Sequence, residues 1–267
     1  MKYSYVTVLS TETYLLGVLC MYQSLKNSNT KIPLTVVVTD NISDDIIKIL
    51  ENEKINVVKK PKIKITNIVN EQNKDSKFMY WNNTFDKLHI FELTQFEKIV
   101  YIDSDMLILR NVDELFKREN LSAVVAGSFY PGNEEWVKLN SGLMVIEPKT
   151  GMLDEFMKIL NSEILKGKII GDQNIIQEYI PEWENMENLH LDHKYNIFFQ
   201  YLEYYLDKFK KSIDNISIVH FISKGKPWML DRIQRKQLME QYKKDTASYI
   251  VLEKYFETLD SIKLNKE

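Results

Sequence analysis

A single cysteine, Cys20, occurs among the 267 residues, so no disulfide can form within the chain. Its neighbours in LLGVLCMYQSL recur at helical spacing, which reads as a small buried residue rather than a nucleophile or a metal ligand. The lack of disulfides fits a reducing compartment. Long hydrophobic runs are missing too: the longest, Leu15–Tyr22, is far short of the ~18–20 residues that a membrane span needs. Met1–Leu9 lacks the apolar core of a secretion signal. These absences together predict a soluble, cytoplasmic protein. Charge of one sign is also missing, with 35 Lys and Arg against 38 Asp and Glu, for a net charge of −3. A general nucleic-acid binder would carry a strongly basic face, so that class is excluded. The lysine-rich stretches Lys59–Lys64 and Lys208–Lys211 read as solvated surface. Internal repeats, low-complexity tracts, G-x-G-x-x-G, G-x-S-x-G and zinc-ligand spacings are all absent.

What is present alternates. Tyr3–Leu9 is rich in β-branched and aromatic residues and predicts a strand. STET follows as a loop and helix cap, and Tyr14–Lys26 has helical periodicity. Ile32–Thr39 is apolar on both faces, as a central parallel strand should be. Ser43 opens a helix with apolar residues at Ile46, Ile47, Ile49 and Leu50, and INVVK then predicts a third strand. This βαβαβ order implies a mostly parallel sheet flanked by helices. Further on, Thr66–Lys77 predicts a loop, Asn83–Leu93 a helix, Ile99–Ile102 a strand and NVDELF a short turn. LSAVVAG and SGLMVIEP read as strands, and Gly151–Lys166 and Gly171–Tyr179 as helices. The aromatic tract Tyr195–Tyr205 reads as core or as a stacking surface. Asp231–Lys263 predicts a charged helical tail.

The chemistry concentrates after Ile102. In an extended strand residues i and i+2 share a face, so Asp103 and Asp105 would project together from a strand end. Ligands of open α/β sheets bind outside that edge. Isolated carboxylates are costly to bury, and two oxygen ligands suit Mn²⁺ or Mg²⁺ as the counter-charge. His220 follows the strand-like ISIV and offers an imidazole at a strand end. Beside it, Lys224, Gly225 and Lys226 could approach phosphates. In GDQN, Asp172 stands at a helix start, where capping is the simpler reading.

Read in order, these pieces resemble the glycogenin-like branch of glycosyltransferase family 8. The likeness runs from Tyr3 to Trp228 through YVTVLSTETYLLGVLCMYQSL, TFDKLHIFELTQFEKIVYIDSDMLILRNVDELF, NSGLMVIEP, GDQNII, YNI and VHFISKGKPW. It implies a GT-A fold in one catalytic domain over residues 1–230, with a helical extension over 231–267. It further implies a retaining transferase using Mn²⁺ or Mg²⁺ and a UDP-sugar donor, glucose first, with a saccharide or protein acceptor and a homodimer. By position it makes Asp103, Asp105 and His220 the metal ligands. Leu9, Thr11 and Tyr14 fall on uracil and ribose contacts, Lys87 on the donor-binding lysine, and Ser104 inside the metal triplet. Asn140, Ser141 and Gly142 fall on the loop along the sugar, Asp172 and Gln173 beside its anomeric centre, and Gly225 and Lys226 at the diphosphate.

Two departures stand out. The family places glycine where this chain has Ser223, and the acceptor tyrosine of the branch falls on Glu203, next to Tyr204 and Tyr205. The second departure favours a separate acceptor over self-glycosylation. UDP-N-acetylglucosamine and UDP-galactose are rival donors, and a non-catalytic nucleotide-sugar binder is the alternative class. A haloacid-dehalogenase-type phosphatase also begins with Asp-x-Asp after a strand. It wants Thr or Val where Leu107 stands.

Overall fold

The computed structural model describes residues 2–65, 82–165 and 170–263, with side chains of 163–165 left out. The loop expected over Thr66–Lys77 lies outside the described residues. Along the chain run β1 (Tyr3–Leu9), α1 (Leu15–Asn27), β2 (Leu34–Thr39), α2 (Asp44–Asn52), β3 (Asn56–Lys60), β4 (Lys98–Ile102) and β5 (Met106–Ile108). Then come β6 (Ala123–Val125), β7 (Leu139–Ile146), α3 (Met152–Leu165), α4 (Asp172–Tyr179), β8 (Ile197–Phe198), α5 (Leu202–Lys208), β9 (Ile218–His220), α6 (Arg232–Met239) and α7 (Ala247–Asp260). No described helix is long and apolar enough to cross a membrane.

The chain divides into two compact units. The first holds Met1–Glu12, Ile32–Ile102 and Glu114–Leu191. Its six-stranded sheet has the order β3-β2-β1-β4-β7-β6. β1 to β4 pair in parallel, and β7 and β6 run antiparallel at one edge. β2 is buried at all six positions, as its run of Leu, Thr and Val predicts for a strand covered on both faces. The core gathers Val6, Val37, Phe85, Phe91, Tyr101, Met144, Phe156 and Trp183. Fully burying side chains of this size stabilises by about 1.5–3 kcal/mol each before entropy is subtracted.

Asn83–Leu93 departs from expectation. It is a 3-10 segment, Phe85–Glu92, rather than an α-helix. Phe85 to Phe91 are all buried, so the segment lacks the polar outer face of an amphipathic helix. Its polar side chains bond outward instead. Asp86 Oδ1 accepts from Ile63 N at 2.8 Å, and His89 Nε2 lies 2.7 Å from Pro61 O. His89 is thus a packed histidine.

The second unit holds Thr13–Lys31, Asp103–Asp113 and Asp192–Glu267. A three-stranded sheet, β5-β9-β8, lies at its centre, with β5 antiparallel to β9. Helix α1 packs on β5 and α7 packs on α1. STET supplies no side-chain cap: Tyr14 is the N-cap of α1 and makes no capping bond. Cys20 is fully buried, and burial pushes its thiol up to about 12, so its role is packing. The aromatic tract is core at Tyr195, Phe198 and Tyr205, which are buried, and the half-buried Phe199 stacks on Phe221 with centroids 5.0 Å apart. Asp231–Lys263 forms α6 and α7, as expected up to Asp260.

Gly17 stands in the first turn of α1, where glycine is still a poorer helix former than alanine. A Cβ there would meet Trp228 Cη2 at 2.9 Å and the Ser104 carbonyl oxygen at 3.0 Å. Close packing of the helix on the indole and on the backbone of the acidic triplet therefore requires glycine. Gly17→Ala should lower the unfolding free energy by about 1–3 kcal/mol, measured from urea midpoints, despite its better helix propensity. An unchanged or raised midpoint would contradict this packing.

Candidate active site

In the second unit the acids are not on a strand face. Asp103 lies between β4 and β5, and Ser104–Asp105 form a turn, with Met106 N donating to Asp103 O at 3.3 Å. The change of direction follows from pairing: β4 belongs to the six-stranded sheet and β5 to the three-stranded one. The turn still brings both carboxylates toward His220, because register pairs Met106 with His220 across β5 and β9. His220 Nε2 lies 3.0 Å from Asp105 Oδ1 and 3.9 Å from Asp103 Oδ2. One ligand atom from each of the three residues lies within 4.8 Å of the others.

The donor set fits a divalent ion. Nδ1 of His220 faces Asn196 Oδ1 at 2.9 Å; an amide oxygen accepts, so Nδ1 carries a proton and Nε2 is the ring nitrogen turned toward the carboxylates. Nε2 and Asp105 Oδ1, 3.0 Å apart, are bridged either by a proton on Nε2 or by a cation that takes its place. Two carboxylates and one imidazole suit a first-row ion such as Mn²⁺ better than Mg²⁺, which prefers oxygen alone. Asp103 is 24% exposed at its side chain, so the group opens to solvent on its side.

Lys226 completes the group. Its Nζ donates to Asp105 Oδ2 at 2.7 Å and to Phe221 O at 2.8 Å. Burial opposes its charge, and the Asp105 carboxylate more than offsets that, holding its pKa above the ordinary lysine value. Burial likewise opposes the charge of Asp105, and His220 and Lys226 reverse the effect, so its pKa lies well below the carboxylate range. Gly225, just before, is exposed, and a Cβ there would meet nothing within 4 Å. Tyr14 packs edge-on against Trp228, centroids 5.2 Å apart, and Trp228 Nε1 donates to Thr13 O at 3.1 Å. Ser104 is buried.

A separate cluster lies in the first unit. Lys87 Nζ is 2.8 Å from Asp172 Oδ2, both nearly buried, and Ser141 Oγ donates to the same oxygen at 2.8 Å. Lys87 also donates to Ser141 Oγ at 3.2 Å. Gln173 Oε1 accepts from Ser141 N at 3.0 Å, and Asn140 Oδ1 from Gly142 N at 2.9 Å. Asp172 is the first residue of α4, but its carboxylate serves Lys87 rather than its own helix. Burial would raise its pKa; Lys87, with bonds from Thr84 and Ser141, holds it below the usual value. From sequence Thr84 reads, with Asn83, as a cap of the following segment; it is the N-cap but makes no side-chain capping bond, and its Oγ1 instead accepts from Asp172 N at 3.2 Å. Its place just before the 3-10 segment that carries Lys87 was the available signal. Leu9 is buried at the end of β1, and Thr11 is half-buried just beyond it.

Glu203 has a structural task. Its Oε1 accepts from Ser248 N at 2.7 Å in the first turn of α7, where a carboxylate also suits the helix dipole. Tyr205 is buried, and burial together with Asp192 pushes its phenol up to about 12. Tyr204 is 38% exposed.

Comparison with known proteins agrees with this geometry. The sequence profile described as Glycosyl transferase family 8 matches residues 5–231. Glycogenin-1 of Mus musculus is 28% identical over 243 residues, covering 84% of this chain and 65% of the relative. UDP-glucuronate:xylan alpha-glucuronosyltransferase 2 of Arabidopsis thaliana is 34% identical over 186 residues, covering 68% of this chain and 28% of the relative. The chain thus spans less than two thirds of the length of either. Among solved structures, the galactosyltransferase LgtC, in complex with donor and acceptor sugar analogs, superposes with a TM-score of 0.67 at 13% identity. That match covers 99% of this chain and 98% of the other, and it shows the GT-A fold.

The ion pair between Lys87 and Asp172 makes a pH-dependent contribution. A folded-state pKa held below the unfolded value of about 3.9 stabilises above that value, and the contribution is lost as pH falls through the folded value. Asp172→Asn leaves Lys87 buried without its partner and should cost about 3–5 kcal/mol at pH 7. Its urea midpoint should then fall less steeply than that of the wild type below about pH 4. Parallel acid limbs for the two proteins would contradict the pairing.

Proposed function

Because the chain belongs to glycosyl transferase family 8, we propose that it is a retaining, metal-dependent glycosyltransferase moving a sugar, glucose first, from a UDP-sugar to a separate acceptor. The observation that carries the reading is the Asp103–Asp105–His220 cluster, with Asn196 fixing the imidazole tautomer that leaves Nε2 able to ligate. We assign the catalytic domain to residues 1–230 and a helical extension to 231–267.

When bound there, Mn²⁺ would supply positive charge for the pyrophosphate of the leaving UDP. The chain's own residues do the rest. Lys226 uses two of its three N–H donors on Asp105 and Phe221, which would leave one for a phosphate oxygen. Gly225 leaves room for a phosphate to approach the backbone. Gln173, with its oxygen taken by Ser141 N, presents its amide N–H₂ to a sugar hydroxyl. Asp172, tied to Lys87 and Ser141, is held as an orienting and electrostatic group and is poorly placed to act as a nucleophile. Leu9, Thr11 and Tyr14 are assigned to the nucleoside and Asn140, Ser141 and Gly142 to the sugar.

Because Asp172 neutralises Lys87, this cluster suits a neutral hexose better than a uronate. UDP-N-acetylglucosamine and UDP-galactose remain the rival donors, separated from UDP-glucose by small changes in the sugar pocket. The capping role of Glu203 and the burial of Tyr205 support a separate acceptor, with the exposed Tyr204 the neighbouring tyrosine to check.

A screen of UDP-sugars with Mn²⁺ should detect donor cleavage. Asp105→Asn and His220→Ala should each lower it by about a hundredfold or more while circular dichroism stays unchanged. Undiminished cleavage would overturn the metal assignment. Asp172→Asn should lower kcat more than it weakens UDP binding, whereas equal losses would move Asp172 to donor binding alone. Intact mass should stay unchanged during cleavage, and a ladder of added hexoses would instead show self-glycosylation.

A further inference from the structure

The segment between β6 and β7 leads directly into Asn140, Ser141 and Gly142, and it is held by its own backbone. Ala126 N donates to Lys138 O at 2.8 Å and Ser128 N to Trp136 O at 3.1 Å, closing the loop across its neck. Inside, Tyr130 N bonds Gly127 O at 2.9 Å, Asn133 N bonds Tyr130 O at 3.1 Å, and Trp136 N bonds Asn133 O at 2.8 Å. Gly132 has φ +80°, which favours glycine, and its N–H donates to Glu134 Oε1 at 3.0 Å. Tyr130 is buried and roots the loop, with the Phe129 ring 4.0 Å from its own.

On this fixed base stands an indole that the fold does not use. Trp136 is 52% exposed and its neighbour Val137 is 40% exposed, whereas Trp183 and Trp228 are buried. Among the described residues the indole has neither a ring partner nor a hydrogen-bond partner. Both its backbone N–H and its carbonyl are engaged, so the position is set by the chain rather than by a free loop tip. Around it, Asn133, Glu134 and Glu135 supply amide and carboxylate groups at the surface.

We propose that Trp136 is the acceptor platform of this transferase and that the acceptor is a neutral saccharide. The inference rests on the transferase reading and names its second substrate. A pyranose has an apolar C–H face and a rim of hydroxyls. A flat, exposed indole takes the first, and neighbouring amides and carboxylates accept hydrogen bonds from the second. Asn140 lies four positions after Trp136, at most about 14 Å of chain, so a short oligosaccharide stacked on the indole can reach Asn140, Ser141 and Gly142, which the structure places at the start of strand β7 rather than in the expected loop. The carboxylates disfavour an acidic acceptor.

The test uses the full chain with its tryptophans replaced by fluorotryptophan, and with Mn²⁺ and UDP present. The Trp136 signal is identified by its loss in Trp136→Phe. Maltotriose, cellotriose, lactose and N-acetyllactosamine are titrated separately. At least one should shift the Trp136 signal while the signals of buried Trp183 and Trp228 stay in place. For that saccharide, Trp136→Ala should raise the acceptor KM about tenfold, and Trp136→Phe, which keeps a flat ring, should restore most of it. Donor cleavage in water should change by less than about twofold in both variants. No shift with any of the sugars, an unchanged KM in Trp136→Ala, or a shift produced only by unglycosylated peptides would overturn the platform. Failure of the wild type to cleave any UDP-sugar would instead strike the transferase reading, which the fluorine signal does not depend on.

Discussion

A carboxylate nearly out of water, Asp105, has to be balanced by positive charge, and the second unit is organised around that need. Burying an ion without compensation costs several kcal/mol. Lys226 at 2.7 Å answers one oxygen of Asp105, and His220 faces the other at 3.0 Å. Asn196 accepts from Nδ1 and so turns Nε2 toward the acidic turn. Asp103, Asp105 and His220 bring one ligand atom each within 4.8 Å of one another, a donor set that suits a divalent cation. The supports are local: the β5–β9 register sets His220 beside the acidic turn, and Ser24 Oγ, accepting from Ile108 N at 3.0 Å, fixes β5 to α1. A one-residue slip between β5 and β9 would turn His220 away.

The first unit solves a different problem. Lys87 and Asp172 are both nearly buried and neutralise one another at 2.8 Å, with Ser141 and Gln173 completing a tight polar group. A paired, hydrogen-bonded group of this kind is rigid, and its remaining donors suit hydroxyls better than charges. The two clusters thus differ in kind, one a set of metal-ligand atoms and the other a neutral ion pair.

Much of this was legible in the sequence. β1 and β2 announced themselves by β-branched and aromatic runs, and β2, covered on both faces, has no polar side to show, whereas β3, an edge strand with no fully buried position, was legible only from its INVVK run. The metal residues were readable as acids placed against apolar strands. The geometry behind them was not. Asp103 and Asp105 converge through a turn between two sheets, and strand pairing over a hundred residues apart cannot be read from local alternation. The segment carrying Lys87 looked like an α-helix because apolar residues recur in it, yet it is 3-10 and buried from Phe85 to Phe91. Thr84 was legible only as a cap and Gly17 not at all, for the same reason: one bonds Asp172 N, the other yields space to Trp228, and both partners are distant in sequence. Glu203 marked a departure from the family pattern, and its reason, the N-terminus of α7, emerged only from the fold.

The most direct measurement is pulsed electron paramagnetic resonance of Mn²⁺ added to the protein with UDP. The account predicts nitrogen modulation from a directly bound imidazole, absent in His220→Gln, together with phosphorus coupling from the diphosphate. Mn²⁺ signals with phosphorus coupling but no nitrogen coupling, or a spectrum unchanged by His220→Gln, would contradict it.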